Sequence, residues 1–315
     1  MKLQTIVETV PSSYKISYRD KILFLGSCFA SEIGAVMKKL RYSAVVNPFG
    51  PLYNPSSLAL SLDRLEKCTN FTEDDVFMQG DICKSLFLSS EFAAPSKEEF
   101  LRVNNERVAS AAEHFRNSSW VVITFGTRWI YTWKGSGEVV ANCHKLSPEC
   151  FVRAKLTIEQ IFDLLAPFIE RFNDKKWLFT VSPVRHWKDG AHGNQLSKAT
   201  LLLAVERLVE KYENAFYFPA YEIMMDQLRD YRFYAGDMIH PSSEAVQYIW
   251  ERFSETFTDP AEESVIKIVS KLNLMEEHKP LFPFSGDYIK FENELKSLRE
   301  EVAQELEKVY KNHNL

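Results

Sequence analysis

The sequence predicts an α/β fold in which a mostly parallel sheet is covered by helices on both faces. Three short, mostly apolar runs indicate the central strands: Ile22–Leu25, Trp120–Phe125 and Trp177–Ser182. Strands buried on both faces have this composition, whereas strands with one solvated face alternate apolar and polar residues. Each run is followed further along the chain by a stretch of helical periodicity, and this alternation is typical of a doubly wound sheet.

The other elements follow from periodicity and turn residues, in chain order. Helices are expected at 31–40, 55–65, 96–115, 148–172, 195–212 and 242–257, the fourth of them kinked at Pro167. Pro55 suits a first helical turn, and Ser96 with Glu99 forms a capping-box pattern. Strands are expected at 44–46 and 215–218, and a hairpin excursion at 130–140.

Beyond residue 260 the pattern changes to two helices, expected at 260–274 and 289–310. We therefore predict an α/β domain over residues 1–260 and a C-terminal helical extension over residues 261–315. The last helix has a narrow apolar stripe, made of Phe291, Leu295, Leu298, Val302, Leu306 and Val309. Such a stripe packs on its own domain or forms a seam with another helix, so a homodimer through this helix is a second expectation.

Composition excludes several classes of function. The 315 residues are 45% hydrophobic and carry a formal net charge of −5, which gives no electrostatic reason to expect nucleic acid or an anionic membrane as a partner. The five cysteines are scattered without a CxxC pair, and no run approaches the about 20 apolar residues of a membrane span. We expect a soluble, cytoplasmic protein without a metal or a cofactor. Cys143 and His144 are adjacent, so a strand there would point them to opposite faces rather than at one metal.

Gly26 and Ser27 stand where the first strand ends and a helix begins. In a parallel sheet this carboxyl edge is where ligands bind, and a helix N-terminus offers unpaired N–H groups to negative charge. Ser27 is therefore a candidate nucleophile. The alternative is that Gly26 and Ser27 serve turn geometry alone.

Other polar residues follow strands at the same edge. Asn47–Gly50 follows the second strand, and Gly50 is a candidate backbone donor near Ser27 unless the loop is only a proline-stiffened turn. Candidate substrate contacts come after the two strands that begin at Trp120 and Trp177. They are Thr127, Arg128, Arg185, His186, His192, Asn194 and Lys198. The aromatic residues of the hairpin, Trp129, Tyr131 and Trp133, either pack on the core or form a sugar-stacking platform.

Asp237 and His240 lie three residues apart, just before the helix at 242–257. An imidazole oriented by a carboxylate can take the proton of a serine hydroxyl, which serine needs because it forms almost no alkoxide near pH 7. An Asp before a helix is first of all a candidate N-cap. The pair gains specificity from its combination with Ser27.

The block Gly26-Ser-Cys-Phe-Ala30 resembles the signature of the GSCFA-domain proteins, a branch of the SGNH (GDSL-like) esterase and acyltransferase superfamily. Asn47–Gly50 is similar in position to the superfamily block whose glycine N–H helps form the oxyanion hole. Thr124–Thr127 resembles the third block, and Asp237–Ser242 resembles the block of the acid and base. The resemblance implies a three-layer α/β/α sandwich with a central, mostly parallel, flavodoxin-like sheet, and ester chemistry.

One departure concerns the third block, where the superfamily usually has an Asn whose side chain donates to the oxyanion. Thr127 and Arg128 stand here instead, and losing one such donor costs on the order of 10²–10³ in rate. Thr127, Asn47 or Asn194 could supply the donor. Cys28 is a rival nucleophile, but if Ser27 points to the sheet edge its neighbour is expected to point into the core.

These observations predict a serine-dependent ester hydrolase. Ser27 attacks, His240 is base and then acid, Asp237 orients His240, and the N–H groups of Ser27 and Gly50 hold the oxyanion. By analogy with the superfamily the substrate is a small-molecule or carbohydrate ester, with acetyl as the acyl group. Two alternatives stay open: an acyltransferase that uses the same residues, and a non-catalytic carbohydrate- or partner-binding module on the same fold.

Overall fold

The computed structural model describes residues 5–9, 12–279 and 281–311. Its strands are β1 (Lys21–Gly26), β2 (Ser43–Val46), β3 (Phe77–Gln79), β4 (Ile82–Lys84), β5 (Trp120–Phe125), β6 (Trp129–Trp133), β7 (Val139–Val140), β8 (Phe151–Lys155), β9 (Lys176–Val181) and β10 (Ala215–Tyr217). Its helices are α1 (Cys28–Lys39), α2 (Pro55–Lys67), α3 (Lys97–Arg116), α4 (Ile158–Arg171), α5 (Gly190–Lys211), α6 (Ala220–Glu222), α7 (Ser243–Phe257), α8 (Glu263–Glu277) and α9 (Gly286–Lys311).

The central sheet has five parallel strands in the order β2-β1-β5-β9-β10. Side chains of β1 alternate between two hydrophobic cores, with Leu23 and Leu25 in one core and Ile22 and Phe24 in the other. Helices α2, α3, α4 and α5 contribute to the first core, and α1, α7, α8 and α9 to the second. The α/β class and the three-layer sandwich are therefore confirmed.

The prediction of one helix over 148–172 is wrong in its first part. Residues 148–150 form a 3₁₀ turn and β8 follows, paired antiparallel with β6. This segment is a strand because alternate side chains pair with the neighbouring strand: Phe151 and Arg153 of β8 lie opposite Trp133 and Tyr131 of β6. The helix α4 begins only after Thr157, which shares a reciprocal capping box with Gln160.

The C-terminal helices pack against the α/β part of the chain. Leu298 and Val302 of α9 are buried in the second core, and Leu295, Leu306 and Val309 pack against it. The expected stripe is therefore in contact with this same chain, and a homodimer through α9 would have to use its other side chains. In the part of the chain that the structure describes, no helix combines the length and apolar character needed to cross a membrane.

Candidate functional site

Ser27 lies between β1 and α1, where it is the N-cap residue of the helix with extended backbone angles. Only 1% of its surface is exposed. Its N–H donates to the carbonyl of Thr124 at the end of β5, over 3.2 Å. Its Oγ is buried and has no hydrogen-bond partner among the described residues. A buried, unpartnered hydroxyl is costly, so this group calls for a functional explanation.

Cys28 was expected to point into the core, but the structure places it elsewhere. It is half-buried, whereas its neighbour Ser27 is buried, and its Sγ lies 3.4 Å from the Tyr53 hydroxyl. The physical reason is that Cys28 is the first residue of α1, where side chains lean back toward the helix N-terminus and the loops around it. Burial and this hydrogen bond raise the pKa of Tyr53 above its usual range. Tyr53 is not among the residues predicted for the site; its one signal in the sequence is an aromatic residue in the loop before Asn54 and Pro55.

Asp237 and His240 form the pair that their spacing predicted. One carboxylate oxygen of Asp237 lies 2.6 Å from His240 Nδ1, and the other accepts the N–H groups of Ile239 and His240 at 2.9 and 3.0 Å. These bonds hold the pKa of Asp237 at about 2. The carboxylate is therefore ionised at neutral pH, and it orients the ring so that Nε2 faces away from the carboxylate.

His240 lines a cleft of about 580 Å³ at the carboxyl edge of the sheet, together with His186 and Thr127. Trp129 and Tyr131 of β6 and Phe151 and Arg153 of β8 form one wall, and the loop after β9 forms another through Val184, Arg185, His186, Lys188 and Asp189. Ser27 is not among the lining residues. No hydrogen bond joins Ser27 Oγ to His240 within the described structure, so the contact through which His240 would take the serine proton is absent from this conformation.

His186 is placed at the same edge by the loop after β9. Its N–H donates to the side-chain oxygen of Asn194 over 3.0 Å, and its Nε2 is buried without a partner among the described residues. A Cβ added to Gly126 would lie 3.3 Å from this Nε2, which places the ring against the end of β5. Burial, followed by the nearby Lys198, lowers the pKa of His186 to about 4. The ring is thus neutral at neutral pH.

Lys198 is buried on α5 behind the cleft. Its Nζ donates to the carbonyls of Gly126 and Ser182, at 2.8 and 2.6 Å, and so joins the ends of β5 and β9. Burial lowers its pKa to about 7. Lys198 was predicted to be one of the substrate contacts on or just after the loop that follows β9. Its position on the inward stripe of α5, three residues before the buried Leu201, was the signal of a structural role.

Asn47 and Gly50 shape the turn after β2. The side chain of Asn47 accepts the Gly26 N–H and donates to Ser31 Oγ, both over 2.8 Å. The Gly50 N–H donates to the Asn47 carbonyl over 2.8 Å, and a Cβ at Gly50 would lie 2.1 Å from Ser89 Cβ. Asn47 thus supports the turn that contains Ser27, whereas Gly50 closes the turn after β2 and packs against Ser89. The donors expected to face an oxyanion, the N–H groups of Gly50 and Ser27, have backbone partners.

Thr127 and Arg128 face α5. Thr127 Oγ1 accepts the N–H of Trp129 and lies 3.2 Å from Ser197 Oγ. Arg128 Nη1 donates to Thr200 Oγ1 over 2.8 Å. Arg128 therefore holds α5 against the end of β5, whereas Thr127 also lines the cleft. Of the polar residues predicted for the site, the cleft brings together Thr127, Arg185, His186 and His240.

The residues near Cys143 have a structural arrangement. His144 is buried, with Nε2 2.7 Å from the carbonyl of Ser85 and Nδ1 2.9 Å from Ser90 Oγ. Both ring nitrogens thus have protein partners. Among residues 5–9, 12–279 and 281–311, no group of three or more His, Cys, Asp or Glu side chains could hold a metal ion.

Most of the chain matches the sequence model of one protein family. The sequence model of the GSCFA family matches residues 21–253, which extend from the first residue of β1 into α7. No curated protein matches the sequence significantly.

Proposed function

This chain belongs to the GSCFA family, and we propose that it is a serine-dependent ester hydrolase that removes an acyl group, such as acetyl, from a carbohydrate or another small molecule. The observation that carries the proposal is the Asp237–His240 pair, with its 2.6 Å contact, on a cleft at the sheet edge where β1 ends in Ser27. A histidine oriented in this way is a general base for a hydroxyl nucleophile.

In the proposed reaction, Ser27 Oγ attacks the ester carbonyl while its proton passes to His240 Nε2. The tetrahedral intermediate collapses, the bond to the alcohol breaks, and the alcohol leaves with the proton from His240. A water molecule then attacks the acyl-serine and gives its proton to His240. The acid departs, and Ser27 recovers its proton. Asp237 stays ionised throughout and stabilises the imidazolium.

The oxyanion has donors other than those first expected. Ala30 and Ser31 donate to the Ser27 carbonyl, and no described side chain caps α1. The N–H groups of Cys28 and Phe29 are left for a developing negative charge at this helix N-terminus. His186 would be a third donor in the neutral tautomer that carries its proton on Nε2, an atom without a partner among the described residues. It would take the place of the Asn that the third block lacks.

Catalysis requires a rearrangement, because Ser27 is almost fully buried and Oγ has no partner. Tyr53 contacts Cys28, its ring meets the His186 ring edge-on at 5.9 Å, and it lines the cleft. Displacement of the Tyr53 side chain would open a path from the cleft to Ser27. We therefore expect substrate binding to move Tyr53 and to bring Ser27 within hydrogen-bond reach of His240.

The test is a panel of p-nitrophenyl esters assayed with the wild type, Ser27→Ala and Cys28→Ala. We expect Ser27→Ala to lose activity by a factor of at least about 10³. Cys28→Ala keeps the backbone N–H and should retain most of the activity. Equal rates for the wild type and Ser27→Ala would contradict the proposal, and loss in Cys28→Ala alone would assign the nucleophile to the thiol.

The two alternative functions, an acyltransferase and a non-catalytic binding module, predict different experimental results. An acyltransferase would use the same residues and exclude water from the acyl-enzyme, so an added alcohol would divert the acyl group from acid to a new ester. A non-catalytic binding module is favoured by one observation, the absence of a hydrogen bond between Ser27 and His240. In that case the ester panel would show no difference between variants, while the cleft would still bind its ligand.

The proposed setting is the cytoplasm. All five cysteines lie among the described residues, and all are free thiols. Free thiols are the usual state in a reducing compartment.

A further inference from the structure

The cleft beside His240 concentrates positive charge. Four basic side chains line it: Lys145, Arg153, Arg185 and Lys188. Asp189 is the one carboxylate among its lining residues, and its side chain is almost fully buried in an ion pair with Arg153. The chain as a whole carries a net charge of −5. The local excess of cations is therefore opposite in sign to the rest of the molecule.

Three of these cations have no carboxylate of a described residue within ion-pair distance. The described ion pairs involve neither Lys145, Arg185 nor Lys188. Lys188 also lies close enough to Cys143 to oppose the rise in that thiol's pKa that burial causes. Like charges gathered in a concave site repel one another, and the arrangement is stabilised when an anion binds there.

Aromatic side chains position three of the four cations, Arg153, Arg185 and Lys188. Arg153 lies over the Trp129 ring at 3.6 Å from its centroid, and Lys188 Nζ donates to the Tyr131 hydroxyl over 2.8 Å. Arg185 stacks over Trp187 at 4.2 Å. Cations held by ring faces lose less conformational entropy when they bind a ligand than free surface lysines do. Because Arg153 covers Trp129, this ring is less suited to stacking a neutral sugar.

We propose that the cleft binds an anionic group, a carboxylate or a phosphate, through Lys145, Arg185 and Lys188. Resting on the proposed function, this means that the preferred ester carries negative charge on the part of the substrate that occupies the cleft. A neutral ester would fill the same space without these contacts. His240 lines the same cleft, so the anion would orient the substrate next to the general base.

The test is calorimetric binding of three probes, glucose, glucuronate and glucose 6-phosphate, to the intact wild-type protein. We expect both anionic sugars to bind at least about tenfold more tightly than glucose, and the difference to shrink as salt is added. Whichever of glucuronate and glucose 6-phosphate binds more tightly identifies the anionic group as a carboxylate or a phosphate. Equal affinity of the three probes, or no binding of any of them at millimolar concentration, overturns the proposal.

The double variant Lys145→Gln, Lys188→Gln assigns the effect to the cleft, and Arg185→Gln provides an independent variant. Both should reduce the anion preference about tenfold, whereas Lys271→Gln, an exposed lysine on α8, should not change it. An unchanged preference in both cleft variants contradicts the proposal. Binding is measured without turnover, so a protein that prefers anionic sugars but cleaves no ester would contradict the proposed function alone.

Discussion

Lys198 shows how one buried residue links the site to stability. Its Nζ binds two carbonyls at the ends of β5 and β9, and burial lowers its pKa to about 7 from an ordinary 10.5. The unfolded chain therefore holds a proton between pH 7 and 10.5 that the folded chain releases. In that interval the free energy of unfolding should rise with pH, by up to about 1.4 kcal/mol per pH unit.

Lys198→Met should remove this contribution. Urea unfolding, followed by circular dichroism from about pH 7 to pH 9.5, should show a flatter pH dependence than in the wild type. Lys271→Met removes an exposed lysine and should leave the slope unchanged. Lys198→Gln is a second variant that retains a donor for one carbonyl. A wild-type slope in both Lys198 variants would show that this residue does not titrate near pH 7.

At the scale of elements, the position of Ser27 depends on how closely α1 approaches β2. Gly34 of α1 is buried, and a Cβ there would lie 2.5 and 2.8 Å from the two γ-methyl groups of Val46. No other residue fits without a shift, because Val46 is held in the sheet. The start of α1, with Ser27 and the N–H groups of Cys28 and Phe29, is thereby fixed against the edge of the sheet.

Gly34→Ala should destabilise the protein although alanine is the better helix former. The gain in helix propensity is about 1 kcal/mol, whereas overpacking costs about 1–3 kcal/mol. We expect a net loss of about 1 kcal/mol in urea unfolding. Gly286→Ala is the matched control, since nothing lies within 4 Å of the added Cβ at the start of α9. An increase in stability for Gly34→Ala would mean that α1 can move away from β2.

At the scale of the whole molecule, Glu262 connects the start of α8 to the segment that precedes β1. It stands at the N-terminus of α8, and its buried carboxylate accepts the N–H of Tyr18 over 3.0 Å. Burial raises its pKa to about 7 from an ordinary 4.5. The folded chain therefore holds a proton between pH 4.5 and 7 that the unfolded chain releases. Stability from this group should be present below pH 4.5 and decrease as pH rises toward 7.

Glu262→Gln mimics the protonated acid and should remove that decrease. At pH 8 we expect the variant to be more stable than the wild type by about 1–3 kcal/mol, the upper value applying without solvent screening. Thermal unfolding across pH 4.5–8 measures this. Glu294→Gln, on an exposed position of α9, is the control. Reduced stability of Glu262→Gln at pH 8 would show that the charged carboxylate is the stabilising form.

Much of the fold was predictable because its patterns are local. The mostly apolar strands β1, β5 and β9 were found, as was the helix that follows Asp237 and His240. Segment 151–155 was not, because its alternation is short and depends on pairing with β6. Gly50 was predicted beside Ser27, and the turn does lie there, but backbone hydrogen bonds already engage its N–H.

The sequence by itself determined the Gly26–Ser27 turn and the Asp237–His240 pair, since each depends on neighbours within three residues. Only the tertiary structure decided that Ser27 is buried while Cys28 contacts Tyr53, that Lys198 joins two strand ends, and that lysines and arginines from separate segments share one cleft. The physical reason is that local hydrogen bonds follow from sequence spacing, whereas burial and electrostatic environment arise from segments far apart in the chain that packing brings together.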